Sequence, residues 1–330
     1  MAEAAEVSVA TVSRYFNYPD KVKPSTADRI RKVVDELGYW PNLVARGLRR
    51  RSTRLLGLVV QDVEHPHFTG ICRGAEDYAR ELGYSAVLCD TDDDLKRQDE
   101  YLRLLADQSV AGVILTPTLA QNTDVSVLQK EGIPVVSLEM RLGDFDSVRS
   151  DNVRGARAAV EHLIEQGARR IACITGPRDV PSAAERLDGY REALQAAGLE
   201  AAADLFAYTN YRESEAELAT ERFFNLPEPP DALFLANSRL AFGALRCLRR
   251  MGVHVPADVL LVGFDDLPWM ELTDPSISAV RQAVHEIGYT AARMLIERVN
   301  GYDGPPRNVM MVPTLVQRES STRPTKNPGA

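Results

Sequence analysis

The sequence predicts an α/β protein: a small basic helical headpiece followed by a larger body of two lobes, each built on a parallel sheet. Three observations lead there. The first is a charge division hidden by the overall balance of −8. Residues 1–54 hold 11 Lys and Arg against 6 Asp and Glu, a net of +5; the rest hold 28 against 41, a net of −13. A cationic head on an anionic body suits a head that meets a polyanion and a body with another task. The second is a pair of capped helical patterns within the head. The third is a regular alternation of apolar runs and helical patterns from residue 55 onward.

A length of 330 residues allows about two domains and a small one. The longest apolar runs, such as LLGLVV at 55–60, fall short of the ~20 residues that span a bilayer. The N-terminus lacks the apolar core of an export signal, so a cytoplasmic location is expected. Cys72, Cys89, Cys173 and Cys247 are scattered without a C-x-x-C pair, which fits a reducing compartment and small buried hydrophobes rather than disulfides or metal.

In the head, a short turn of helix at Ala2–Ala5 precedes a tight turn at Glu6–Val7. Ser8 is placed to cap a helix from Val9 to about Phe16. A further helix is expected from Ser25 to Leu37, closed by Gly38, with Ile30, Val33, Val34 and Leu37 at helical spacing to cover the others. This is the outline of a helix-turn-helix unit, in which the second helix enters the major groove. Val9 and Ala10 would then meet base edges, Thr11 and Ser13 would lie near phosphates, and Arg14 could bond a guanine with two hydrogen bonds. A surface helical bundle without a ligand has the same outline. The stretch PNLVARGLRRRSTR (41–54) adds five arginines interleaved with Leu43, Val44, Ala45 and Leu48. Such a segment can fold on a phosphate-lined groove with an apolar side chain free to wedge between base steps; a solvated basic linker is the alternative.

The run VSVATVSRYFN followed by LGYWPNLVARGL closely resembles the lactose/galactose repressor family of bacterial transcription regulators. The resemblance implies base-reading positions at Val9 and Ala10, supported by Arg14, with Ser8, Thr11, Ser13 and Asn17 also at the DNA. It implies a hinge helix that folds on the operator and contributes Asn42, Ala45, Arg46, Leu48 and Arg49, with Leu48 as a minor-groove wedge. Two departures from the family pattern stand out. Met1 falls inside the first helix, so a shortened first turn is expected, and Glu6 stands where glycine is common.

Beyond Arg54, strands are expected at 55–63, 85–91, 112–118, 134–139, 170–176, 232–237 and 259–265. Helices are expected between them, among others at Phe68–Leu82, Leu95–Gln108, Gly155–Gln166, Glu185–Ala197 and Leu240–Met251. Continuously apolar strands in βα alternation mean parallel sheets covered on both faces. The run is too long for one sheet, so two lobes follow, with Asp146–Asn152 as their first crossing. Ligands bind beyond the carboxyl ends of such strands, which directs attention to Asp62, Asp90, Thr116, Glu139, Asp151, Thr175, Asn237 and Asp265. Each of these can instead simply cap the next helix.

The family resemblance extends to about residue 320. It implies a type I body like that of periplasmic sugar-binding proteins, with a small effector between the lobes. Carried over position by position, it implies effector contacts from His67 and Phe68, Thr116, Glu139, Arg186, Tyr211, Asn237, Asp265 and Gln282. Planar donors and acceptors with aromatic faces suit a carbohydrate. Two further departures are A-N-S in place of A-N-D, which puts Ser238 where a carboxylate is usual, and His67 in place of the commoner Phe. The implied organisation is a helix-turn-helix domain at 1–40, a hinge at 41–54, an effector and dimerisation domain at 55–320 and a disordered tail at 321–330. Within the body, one lobe comprises 55–151 and 283–310, the other 152–282 and 311–320.

No G-x-S-x-G, Walker loop, G-x-G-x-x-G or H-E-x-x-H motif is present, and His162, His254 and His285 stand apart from one another. Asp265 and Asp266 are adjacent in an extended segment and so point apart. An enzyme is therefore not expected, nor a cofactor or metal. The expected function is a ligand-responsive repressor that binds a pseudo-palindromic operator as a homodimer. A ligand-binding protein of the same fold without DNA-binding activity is the alternative, and a protein partner could also supply the signal. Arg186→Ala is expected to abolish effector binding with the fold intact.

Overall fold

The structure, a computed structural model, describes residues 1–17, 21–37 and 53–323. The chain divides into two compact units, residues 1–53 and 54–330. In the first, α1 spans Val9–Asn17 and α2 spans Pro24–Glu36. The Ser8 hydroxyl accepts from the Thr11 N–H at 3.1 Å and pairs with the Thr11 hydroxyl at 2.8 Å. Pro24 opens α2, where its missing N–H needs no partner. Ala5, Ile30 and Val33 form the small core, with Met1, Val7, Tyr15 and Val34 packed around it. The short helix expected at Ala2–Ala5 is instead a hydrogen-bonded turn, in which Ala5 N–H meets the Met1 carbonyl at 2.9 Å and Val7 N–H the Ala2 carbonyl at 3.0 Å. So short a segment cannot recover the cost of helix nucleation. Glu6 has φ 51°, the conformation that glycine adopts freely and that costs another residue ~1 kcal/mol. The residues expected as a hinge, Asn42, Ala45, Arg46, Leu48 and Arg49, lie outside the described residues, as does Gly38.

The second unit holds two six-stranded sheets. The first takes β1 (Leu55–Val60), β2 (Ser85–Asp90), β3 (Gly112–Leu115), β4 (Val135–Leu138), β5 (Asp146–Ser150) and, from near the end of the chain, β11 (Asn308–Met311). Their order is β11-β5-β4-β3-β1-β2, all parallel. The second takes β6 (Ile171–Thr175), β7 (Phe206–Tyr208), β8 (Ala232–Leu235), β9 (Leu260–Phe264), β10 (Ser278–Arg281) and β12 (Thr314–Val316). Its order is β12-β10-β9-β8-β6-β7, parallel except for β12 against β10. Each sheet is covered on both faces: two apolar clusters flank each one, and β1, β3, β4, β6, β8 and β9 are buried along nearly their whole length. The chain passes between the lobes after β5, after β10 and between β11 and β12. Among the described residues, no helix is long and apolar enough to cross a membrane.

Two expectations need correction. The segment from Asp146, expected as a crossing, is mostly strand β5, and the crossing begins only after Ser150. Its single Val hides it in the sequence. Asp146 is buried because Arg298 and Arg307 reach it from the far end of the chain: two Arg298 hydrogen bonds at 2.8 and 3.0 Å, and Arg307 through its N–H at 2.7 Å and its guanidinium at 2.9 Å. Burial opposes ionisation, but these donors hold the carboxyl down at about 2. The disordered tail cannot start at Ser321, because Ser320 and Ser321 are fully buried. Ser321 bonds the Ser278 hydroxyl at 2.6 Å and the His162 ring at 2.7 Å, and Ser320 donates to the Leu261 carbonyl at 2.7 Å. Residues 324–330 lie outside the described residues.

Helix α3 (Pro66–Glu81) follows β1, and the helix at Val284–Val299 packs against it. Their axes approach closely through Gly74 and Gly288. A Cβ at Gly288 would sit 1.8 Å from the Ile71 carbonyl oxygen, and one at Gly74 would sit 1.9 Å from that of His285. This approach fixes α3, and with it the loop that carries His65 and His67. Gly288→Ala is therefore expected to destabilise the full chain by about 1–3 kcal/mol, as overpacking does, lowering the urea midpoint. An unchanged midpoint would mean that the helices do not meet at these glycines.

Candidate interlobe binding site

The carboxyl ends of both sheets face one cleft. From the first lobe come His65 and His67 at the start of α3, Thr116 after β3 and Glu139 after β4. From the second come Tyr211 after β7, Asn237 after β8, Asp265 after β9, and Arg186 on the helix Pro181–Ala196. Gln282 follows β10 at a crossing. Thr116, Glu139, Arg186, Asn237, Asp265, Gln282 and both histidines are buried.

Asp265 stands at the centre. One of its oxygens accepts from Gln282 at 2.5 Å and the other from Asn237 at 3.4 Å, with the Arg186 guanidinium 3.9 Å away. Arg186 is itself held: Nε donates to Asn152 at 2.9 Å, Nη1 to the Ala236 carbonyl at 2.5 Å, and its plane lies 3.8 Å over the Phe264 ring. Gln282 reaches across to His67 Nδ1 at 3.3 Å, and His67 Nε2 lies 3.2 Å from Glu139. Phe68 meets the His67 ring edge-on at 5.1 Å. Seven of the nine expected residues thus form one connected group. Thr116 is buried at the end of β3, and among the described residues its hydroxyl and Gln282 Oε1 have no hydrogen-bond partner. The hydroxyl can give a hydrogen bond to a polar ligand or take one, and the amide oxygen can take one.

The backbone marks the same place. Among the described residues, seven non-glycine positions have φ in the left-handed region, and three of them are Glu139 (61°), Tyr211 (57°) and Asp265 (68°). Each costs about 1–2 kcal/mol, strain that concentrates at functional sites. The Tyr211 ring packs against Gly176, where a Cβ would sit 2.0 Å from it.

Burial acts against every charge here, and the neighbours decide the outcome. For Asp265, burial is outweighed by Arg186, the two histidines and Gln282, so its carboxyl lies below the ordinary range. For His67, burial is outweighed by Glu139 and then Asp265, so its value is raised above 6.5. His65 is lowered by burial, with His67 and Arg239 acting the same way against Asp265. Burial raises Tyr211.

Sequence reasoning gave no role to His65, Asn152 or Arg239, noted Ser238 only as a departure from the family pattern, and left Asp62 uncommitted. His65 Nδ1 accepts from the His67 N–H at 3.2 Å, while its Nε2 lies 3.3 Å from the Asn237 amide and 3.4 Å from the Ser238 hydroxyl. Asp62 receives Arg239 at 2.7 Å. The repeated histidine in H-P-H was the one available signal. Of the other strand-end residues, Asp151 caps a helix through the Arg154 N–H and Thr175 donates to the Ala183 carbonyl. Asp265 and Asp266 do point apart, Asp266 pairing with Arg281 and Arg318 instead.

The expectation for Arg186→Ala needs correction. Removing Arg186 leaves Asp265 and the Ala236 carbonyl buried without it, so a loss of about 3–5 kcal/mol in stability is expected, read as a fall in urea midpoint. An unchanged midpoint would show that Asp265 does not depend on it. A second outcome concerns pH. His67 should titrate above 6.5 and His65 below it in imidazole NMR spectra. The His67 contribution to stability is then full below 6.5 and lost as pH rises through its raised value; that of His65 is full above 6.5 and lost as pH falls through its lowered one. Coincident titrations would contradict the assigned surroundings.

Known proteins share this architecture. The profile of the lacI family of bacterial regulatory proteins matches residues 1–42, and that of the periplasmic binding protein-like domain matches residues 160–321. The HTH-type transcriptional regulator CelR of Thermobifida fusca is 35% identical over 97% of this chain and 96% of its own. A solved complex of a transcriptional regulator CelR with cellobiose is 34% identical, with a TM-score of 0.76 over 97% of this chain and 98% of that one. The lac repressor dimer bound to operator and the anti-inducer ONPF is 26% identical, with a TM-score of 0.88 over 98% of each chain. The chain belongs to the lacI family of bacterial regulatory proteins.

Proposed function

We propose that this family member is a repressor that binds a pseudo-palindromic operator as a cytoplasmic homodimer, controlled by a small molecule, a sugar or sugar derivative, in the interlobe cleft. The observation that carries the ligand reading is the convergence of strand-end residues from both lobes on Asp265. The set offers carboxylate, amide and hydroxyl groups beside the His67, Phe68 and Tyr211 rings, the complement of a polyol with one apolar face. Glu139, Arg186, Asn237, Asp265 and Gln282 act as the polar contacts, with Thr116 and Tyr211 supplying hydroxyls. The cellobiose bound by a relative supports this class.

For DNA, Val9 is 76% exposed at the start of α1, and Ser8, Ala10 and Arg14 are exposed beside it. An exposed valine among polar side chains suits apolar contact with a thymine methyl group, and Arg14 suits a guanine. Thr11 and Ser13 are half-buried at the same end, and Asn17 ends the helix. Pairing of two chains is supported by exposed apolar faces in each lobe: Val87 and Leu88 on edge strand β2 with Leu82 and Leu104 nearby in sequence, and Leu218, Phe242 and Leu272 in the other. Two-fold pairing presents two headpieces to two half-sites. The effector would change the angle between lobes and thereby the cost of seating both headpieces, for which ~1–3 kcal/mol of coupling suffices.

The testing experiment is a salt-varied titration of the full chain on duplexes selected from a random pool. Enrichment of one palindrome with a steep salt slope is expected, because phosphate contacts release counterions. Absence of any enriched sequence would favour the alternative, a ligand-binding protein without DNA-binding activity. Arg14→Ala should cost ~1–3 kcal/mol on the selected site and relax preference at one base pair. Equal losses on specific and random duplexes would remove Arg14 from base reading.

A further inference from the structure

We propose that Asp62 and His65 of the first lobe, with Ser238 and Arg239 of the second, form a latch that holds the lobes together without a ligand.

Both halves are oriented in advance by their own turns. The Glu64 N–H donates to one Asp62 oxygen at 2.8 Å and leaves the other for Arg239 at 2.7 Å. Arg239 is the second residue of its helix, and its N–H is bound by the capping Asn237 at 2.8 Å. The carboxylate is thus fixed before the pair forms and only the Arg239 arm has to be ordered, unlike the usual surface pair of two mobile arms. The histidine contact has a fixed polarity. His65 Nδ1 accepts from the His67 N–H, so in the neutral ring the proton sits on Nε2, where the Ser238 hydroxyl at 3.4 Å can accept it, and the Asn237 amide, 3.3 Å from the same nitrogen, is then a neighbour rather than a donor to it. A neutral ring agrees with the burial of His65. The chain's own departure from the A-N-D pattern completes the arrangement: Ser238 accepts from a neutral histidine, Arg239 follows it, and the carboxylate that Arg239 needs comes from the opposite lobe.

The latch lies at the rim of the cleft. The Asp62 and Arg239 side chains are 25% and 39% exposed, whereas Asp265 and Arg186 are each 6% exposed. A ligand that takes over the hydrogen bonds of Gln282 and His67 need not break the rim contacts. The latch therefore sets how far the lobes are closed before any ligand arrives, and a ligand can shift the lobes only from that starting population. This regulatory consequence rests on the cleft being the effector site; the latch itself does not.

The test is amide hydrogen exchange on the full, ligand-free chain, comparing wild type with Arg239→Gln, Asp62→Asn and the charge swap Asp62→Arg/Arg239→Asp. Arg239→Gln should speed exchange at residues 65–69 in the opposite lobe by about two- to five-fold, the range that one partly exposed ion pair allows. Asp62→Asn should do the same at residues 237–241, and the swap should return both segments toward wild type. Changes confined to the substituted lobe, or a swap that restores neither segment, would overturn the latch. Because neither ligand nor DNA is present, that failure would leave the operator titration untouched, and failure of the titration would leave the latch standing.

Discussion

The body is organised around a buried negative charge. Asp265 sits between two lobes at a point from which water is largely excluded, and an ion there is tolerable only if neighbours replace its hydration. Gln282, Asn237 and Arg186 do so, and each is positioned by a different strand end or helix of the second lobe. Through Gln282 the network continues to His67 and Glu139 in the first lobe. The members share partners, so their contributions are coupled and removal of one is felt by the rest. On the proposed reading, the groups that settle this charge are also those that a polar ligand would engage, and binding would be an exchange of partners rather than the filling of an empty space.

Holding that network costs backbone strain. Glu139, Tyr211 and Asp265 turn into left-handed conformations just beyond β4, β7 and β9. Such turns reverse the direction of a side chain at the end of a strand and point it into the cleft. They persist because the strands behind them are locked: β4 and β9 are buried along their whole length between apolar clusters. The two parallel sheets thus do more than supply a frame. Their packing enthalpy and apolar burial offset conformations that no isolated loop would keep.

The lacI family membership and the parallel α/β fold were both legible before any coordinates. β1, β3, β4, β6, β8 and β9 could be read because a strand covered on both faces is continuously apolar. β5, β7, β10, β11 and β12 could not. In β5 the decisive residue is Asp146, a polar side chain buried only because Arg298 and Arg307 come back to it from more than 150 positions away. The Ser320–Ser321 anchor was hidden for a similar reason: two serines look like tail, and only Ser278, Leu261 and His162 make them core. At the cleft, His67, Glu139, Arg186 and Asp265 could be placed by their positions within the family pattern. His65, marked only by the repeated histidine of H-P-H, and Arg239 could not.

What the sequence determined by itself is local and periodic: which segments are strands or helices, where Ser8 and Asn237 cap, that Glu6 stands in a turn favouring glycine, and that charge divides at residue 54. These follow from interactions within a few residues, which the order of amino acids contains directly. What only the tertiary structure decided is pairing across distance. Asn237 meets His65 across 172 positions, and Arg239 meets Asp62 across 177. Such partners are chosen by the packing of whole helices, set by close approaches such as that of Gly288 to Ile71, and not by any property of the side chains that meet. The protonation of the two neighbouring histidines shows the difference. Both are buried and two residues apart, yet one is raised by Glu139 and the other lowered by burial, because the fold brings a carboxylate into hydrogen-bond contact with His67, whereas Asp265 and Asp62 act on His65 only from a distance and do not outweigh its burial.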